Sequence, residues 1–263
     1  MIYHYCSETV FRQIIENKII WLSDITNMND EGEYRDGFKI IRDILSEYPD
    51  VDEKTTTKMS PDNINNTFKV LIACFSQRGD ILSQWRAYAD DGKGFSIGFD
   101  LEMVKQHNMF NRYLEKMEPI TSKIDFISVS YELSIFEKEV HQLIKSYKNS
   151  KSPIRFKLLA RALMYMAIRY KDNFFTEEQE IRGFIAPEDA IKGDDFKIEV
   201  RECNYGKTHY HQLKTSFNDI HAIKEIIIGP KSKYNVDDIR SLLKCHGLSS
   251  VTVNVSNGTG KYR

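Results

Sequence analysis

The chain carries only four cysteines in 263 residues, Cys6, Cys74, Cys203 and Cys245, and no two of them form a Cys-x-x-Cys pair. That scatter excludes a paired-cysteine zinc site and a dithiol redox motif, and leaves reduced thiols as the expectation. Charge of one sign is also missing. Thirty-seven Lys and Arg stand against 38 Asp and Glu, a net charge of −1, so no whole-protein field draws the chain to nucleic acid or acidic lipid. No apolar run approaches the roughly 20 residues that cross a bilayer, and Met1–Tyr5 show no basic region followed by an apolar one. A cytoplasmic protein that does not enter a membrane is expected. Phosphate loops are absent as well: Gly92-Lys93-Gly94 and Gly258-Thr259-Gly260-Lys261 lack the required spacer, Gly98 follows too closely for a dinucleotide fingerprint, and both read as turns.

What is present suffices for a core. Hydrophobic residues make up 41% and charged residues 29%, and the length is within the range of one domain with insertions. Short runs rich in Ile, Val and aromatics recur at Ile2–Tyr5, Ile19–Leu22, Val70–Phe75, Gly94–Phe99, Ile124–Val129, Glu180–Ile185, Phe196–Val200, Ile223–Ile228 and Val251–Val255, and they read as strands of one large mixed sheet or two smaller ones. Helical patterns do not alternate strictly with them, so the fold class is α+β: a mixed or split sheet with surrounding helices in a single domain, 1–263. A helix is expected from Ser152-Pro153 through Phe156, Leu159, Leu163, Met166 and Tyr170, in a mostly helical insertion over about 132–173. Another is expected after Asn235, with Asp237 and Asp238 in its first turn and Gly247 at its end. Residues 49–66, with Pro49, Pro61 and three consecutive threonines, read as a surface loop.

The most suggestive segment is Glu178-Gln179-Glu180-Ile181-Arg182. On a strand, Glu178, Glu180 and Arg182 share one face, where one carboxylate can hold a sugar hydroxyl, the other can stabilise developing positive charge, and Arg182 keeps them ionised. The plainer alternative is an exposed edge strand with ordinary ion pairs. Trp85 and Tyr88 lie on one side of a short helix among Ser76, Ser83 and Arg86, as core packing or as a stacking platform for a flat ring. His4 on the first strand is structural, or holds a ribose hydroxyl or a carboxamide. His209 and His211 share a strand face but have no third ligand at diagnostic spacing, so no metal is assigned. Six basic residues and no acidic one fall between Lys145 and Arg161. Of these, Lys145, Lys148, Lys151 and Arg155 are candidate contacts to a nucleic-acid phosphate backbone, against the alternative of a solvated helix face.

Trp21-Leu22-Ser23 with Asn29-Asp30, Cys74-Phe75-Ser76, Ser83-Gln84-Trp85-Arg86-Ala87-Tyr88-Ala89 with Gly92-Lys93-Gly94-Phe95, Glu178-Gln179-Glu180-Ile181-Arg182 and Ile226-Ile227-Ile228-Gly229-Pro230 together resemble the bacterial domain of unknown function family 2971 over nearly the whole chain. Glu31 stands where that pattern has proline. Members of the family look like accessories of phage defence and abortive infection. The order of a first-strand His4, an aromatic and serine block and a late Glu-x-Glu strand is also similar to ADP-ribosyltransferases. That resemblance implies cleavage of the nicotinamide–ribose bond of NAD, with NAD as substrate and transfer to a macromolecular acceptor. It implies Glu180 beside the ribose, Glu178 towards the acceptor and His4 on the ribose or carboxamide. Trp85 or Tyr88 would stack on nicotinamide, Arg182 or Arg86 would pair with pyrophosphate, and Tyr5, Ser23, Asn29, Ser76 and Ser83 would lie around the dinucleotide. Two other classes use the same cleft: a non-catalytic nucleotide or phage-component sensor, and a metal-dependent nuclease built on Asp30, Glu178 and Glu180.

Overall fold

The computed structural model describes residues 1–27, 31–51, 70–112, 120–150, 155–185, 196–203 and 206–262. In chain order its strands are β1 (Ile2–Cys6), β2 (Ile19–Asp24), β3 (Leu71–Ser76), β4 (Phe95–Phe99), β5 (Met109–Arg112), β6 (Ile120–Lys123), β7 (Asp125–Ser128), β8 (Glu180–Ile185), β9 (Glu199–Cys203), β10 (Gly206–Lys214), β11 (Ser216–Phe217), β12 (Ile220–His221), β13 (Ile223–Ile228) and β14 (Thr252–Val255). The helices are α1 (Glu8–Asn17), α2 (Glu31–Leu45), α3 (Leu82–Tyr88), α4 (Leu101–His107), α5 (Leu133–Lys148), α6 (Arg155–Ala167) and α7 (Val236–Cys245). The class is α+β, as the failure of strands and helices to alternate implied.

Ten strands form one mixed sheet in the order β14-β13-β4-β1-β3-β2-β10-β9, with β8 on the second edge of β3 and β7 beyond it. Only β13 and β14 run parallel; every other described pair in the sheet is antiparallel. The topology around β3 matters most. Its edge towards β8 is paired along the whole strand, from Leu71↔Ile185 to Ser76↔Glu180. Its other edge is shared: β2 takes Leu71 and Ile72, β1 takes Ser76 alone, and between them the two strands diverge. The sheet therefore splits beside Ala73–Phe75.

One face of the sheet packs its Ile, Leu and Phe residues against α1, α4 and α7, through Phe11, Ile15, Val104, Ile239 and Leu243. At one end of the opposite face, Ile72 and Phe184 meet α2, α5 and α6 through Phe38, Ile41, Phe136, Val140 and Leu163. At the other end Tyr5 and Ile227 meet Trp85 and Ala89. These buried stripes recur at helical spacing on each helix, so helix formation and burial reinforce each other. Ser7 caps α1 by accepting from the Val10 N–H, and Asn235 and Asp238 form a reciprocal capping box on α7, which ends in Gly247 at φ +75°.

The basic stretch is not one helix: α5 ends at Lys148 and α6 begins at Arg155. Lys148 pairs with Asp50 at 2.9 Å and Arg155 lies over Phe156, while Lys151 is outside the described residues. Most of the 49–66 loop is likewise outside the described residues.

Candidate functional site

A cavity of about 230 Å³ opens where β1 and β2 diverge from β3. Its back is Ile72 to Phe75, its walls are Tyr3, His4 and Tyr5 of β1 and Trp21 and Ser23 of β2, and its outer side is closed by Gln84, Tyr88, Lys171, Glu178 and Glu180. A second cavity, about 270 Å³, lies against α1 and shares His4 and Trp21 with the first.

The chemistry concentrates in a buried charge quartet. Arg182 donates from Nε to Glu180 Oε1 at 2.8 Å and from a terminal nitrogen to Oε2 at 3.0 Å, a two-pronged pairing, and also donates to the Ile168 carbonyl at 2.7 Å. Lys171 Nζ donates to Glu178 Oε2 at 2.5 Å and lies 3.3 Å from Glu180 Oε2, over the Phe175 ring. Glu180, Arg182 and Lys171 are at most 4% exposed. Burial opposes ionisation of Glu180, but the Arg182 guanidinium, the nearest opposing charge, and then Lys171 outweigh it and hold the carboxyl down at about 2. Two cations and two carboxylates balance, which makes such burial tolerable.

The backbone arrangement differs from the expected strand. Glu178 ends a 3₁₀ turn, Asn173–Glu178, and Gln179 adopts a left-handed conformation at φ +45° before β8 begins at Glu180. Strand alternation does not bring the two carboxylates together; this kink and the shared Lys171 do. The turn is pinned by Ser76, whose hydroxyl donates to the Glu178 carbonyl at 2.7 Å, and by Tyr131, whose hydroxyl accepts from the Glu180 N–H at 2.8 Å. Glu178 Oε1 faces the Tyr88 hydroxyl at 3.4 Å, a long contact.

His4 Nδ1 lies 3.2 Å from the Cys74 carbonyl. Because a carbonyl only accepts, the proton is on Nδ1 and Nε2 keeps its lone pair. Burial lowers the His4 pKa against the opposing pull of that carbonyl, which favours this neutral form. The ring also sits edge-on to Phe75.

Of the residues singled out from sequence, His4, Tyr5, Ser23, Tyr88, Glu178 and Glu180 line the cavity. Others do not. Trp85 is 1% exposed, packs edge-on against Tyr5 at 4.9 Å and donates to Asp80 at 2.7 Å, so the core alternative holds and no stacking platform exists there. Ser83 buries its hydroxyl without a partner among the described residues, and Ser76 fixes the turn from 1% exposure. Arg86 donates to the Tyr262 hydroxyl and stacks on that ring, away from the cavity. Arg182 is committed to Glu180 and Ile168, so neither arginine reaches a pyrophosphate in the cavity. Asn29 and Asp30 lie outside the described residues. His209 faces Asp24 at 3.9 Å, while His211 bonds the Lys197 carbonyl and stacks on Phe196. Sequence reasoning missed Lys171 and Gln84. Lys171 had one available signal: two carboxylates with a single guanidinium cannot be buried in balance, and a second cation was required nearby.

The arrangement defines an α+β protein with an aromatic-walled cavity bordered by His4 and by a neutralised pair of carboxylates. Residues 84–183 match the model of a family described as protein of unknown function (DUF2971). The matched stretch runs from Gln84 to Gly183 and contains the whole charge quartet, but it is shorter than the resemblance drawn from the sequence and leaves out β1 and β2. No curated protein and no solved structure matches the chain. No helix among the described residues is long and apolar enough to cross a membrane.

Proposed function

We propose that the cavity binds the nicotinamide-ribose end of NAD and that the protein is an ADP-ribosyltransferase-like enzyme passing ADP-ribose to a macromolecular acceptor. The observation carrying this reading is the convergence of His4, Ser23, Tyr88, Glu178 and Glu180, from four separate segments, on one cavity. Cleavage of a glycosidic carbon–nitrogen bond develops positive charge on the ribose, and a carboxylate close to it lowers the barrier. Glu178 is better suited to that contact than Glu180. Both Glu180 oxygens already accept charged donors, whereas among the described residues Glu178 Oε1 has only the long Tyr88 contact. Arg182 then fixes Glu180, Glu180 holds Lys171, and Lys171 aims Glu178. His4 Nε2 suits a ribose hydroxyl or a carboxamide N–H. A place in phage defence rests on the family resemblance alone.

The saturation of Glu180 by Arg182 and Lys171 favours a second reading, a nucleotide sensor that binds without turnover. Nicotinamide release and acceptor labelling separate the two. Glu178→Gln keeps shape and loses charge, so nicotinamide release should fall by roughly a hundredfold or more while NAD affinity changes little. Glu180→Gln should lower the melting temperature as well, because Arg182 loses its partner. Binding without nicotinamide release selects the sensor; wild-type protein that neither binds nor consumes NAD removes the enzyme reading.

A further inference from the structure

The cavity face of the sheet continues outward over β2, β10 and β9. Register sets Trp21 and Ser23 opposite Gln212 and Tyr210, and Tyr210 and Thr208 opposite Glu199 and Arg201, so these side chains share one face. Arg201 occupies a distinctive place on it. Its guanidinium lies over the Trp21 indole, 4.9 Å from the ring centre, and a terminal nitrogen reaches 3.5 Å from the Ser23 hydroxyl. Among the described residues its Nε is buried without a hydrogen-bond partner and no ion pair includes it. Trp21 and Ser23 both line the cavity, so this ordered cation stands at the cavity rim.

Size points the same way. Ligand pockets for drug-sized molecules span about 300–1,000 Å³. A cavity of about 230 Å³ takes one ring and its sugar, so the rest of a dinucleotide must lie outside it. The neighbouring sheet face, where Trp21 is 41% exposed, provides that room. Arg182 and Arg86, the arginines the sequence suggested for phosphate, are both engaged elsewhere.

We infer that Arg201 is the phosphate-binding residue of this site, gripping the pyrophosphate of a ligand whose ring end fills the cavity. The planar guanidinium fork suits two phosphate oxygens, and stacking on Trp21 orders it before the ligand arrives. The assignment rests on the NAD reading for its ligand, but pyrophosphate chemistry alone can test it.

The experiment titrates wild type, Arg201→Gln and Arg201→Lys with nicotinamide, ADP-ribose and inorganic pyrophosphate, by calorimetry and by tryptophan fluorescence. Circular dichroism checks the fold, and Arg201→Lys, which keeps the charge over Trp21, serves if Arg201→Gln is unstable. Arg201→Gln should weaken ADP-ribose and pyrophosphate about 10- to 100-fold and leave nicotinamide within about twofold; Arg201→Lys should fall between. Equal weakening of nicotinamide and ADP-ribose, or unchanged ADP-ribose binding, overturns the assignment while leaving the NAD reading intact. Arg201-dependent pyrophosphate binding without any nicotinamide or ADP-ribose binding keeps the assignment and removes the NAD reading. If none of the three probes binds wild type, both fall.

Discussion

Replacing Lys171 by methionine isolates the contribution of one buried charge. Met is similar in length and apolar, and its thioether suits the Phe175 ring over which the ammonium now lies. The substitution leaves two carboxylates facing one guanidinium. Glu180 retains its two bonds from Arg182, while Glu178 loses its 2.5 Å partner and stays beside Glu180. Removing one member of a buried pair typically costs about 3–5 kcal/mol. The Glu178 side chain is 13% exposed and borders the cavity, so it can turn partly into water, and about 2–3 kcal/mol is the appropriate range here. For a chain of this size each kcal/mol shifts the melting temperature by about 2–4 °C, which gives a drop of about 5–10 °C. The decisive comparison is Lys171→Met/Glu178→Gln. With the stranded carboxylate gone, Glu180 and Arg182 form a balanced pair, and at least half of the lost stability should return. Thermal melts of wild type, both single variants and the double variant close the cycle. A single variant melting within about 2 °C of wild type, or a double variant no better than Lys171→Met, refutes the quartet as an energetic unit.

Two further outcomes test the packing and the acid response. A Cβ on Gly37 would lie 2.2 Å from the Ala167 carbonyl oxygen, so Gly37→Ala should cost stability despite a helix-propensity gain of about 1 kcal/mol; a melt at or above wild type would contradict the close crossing of α2 and α6. Stability should fall on acidification in two stages. Burial lowers the pKa values of His4, His107, His211 and His221, so their contribution is present above about 6.5 and lost below it. Glu180, held at about 2 against an unfolded value of 4.5, then loses on the order of 3 kcal/mol between those two values. Melting temperature against pH at fixed ionic strength checks both; a flat profile from pH 7 down to about 3 would contradict both.

The strands that fill the core were legible because their Ile, Val and Phe runs face apolar surroundings on both sides, as in Phe95–Phe99, where all five residues are buried. β10 gave no such run: among Gly206–Lys214 only Thr208 and Leu213 are buried, so only the alternation around His209 and His211 pointed to a strand there. The β5–β6 hairpin was also missed, its polar Asn111, Arg112, Thr121 and Ser122 offering no apolar run. In the site, the Glu178-Gln179-Glu180 spacing pointed to two carboxylates that do line the cavity, but for the wrong geometric reason, since a left-handed Gln179 is invisible to a period-2 argument. Trp85 was ambiguous because its polar neighbours in sequence are not its neighbours in space; Tyr5 and Asp80 are.

The charge quartet and the cavity walls differ in how far along the chain their parts are drawn. Lys171, Glu178, Glu180 and Arg182 fall within twelve consecutive residues, so their mutual contacts close only short loops. The walls join Tyr3, Trp21, Cys74 and Tyr88 to that segment across separations of up to 177 residues, as in the approach of Tyr3 to Glu180 around the cavity. Loop-closure entropy makes such distant pairings late events in folding. The cavity is therefore enclosed only by the finished tertiary structure, although the charges along its border come from one short stretch of chain.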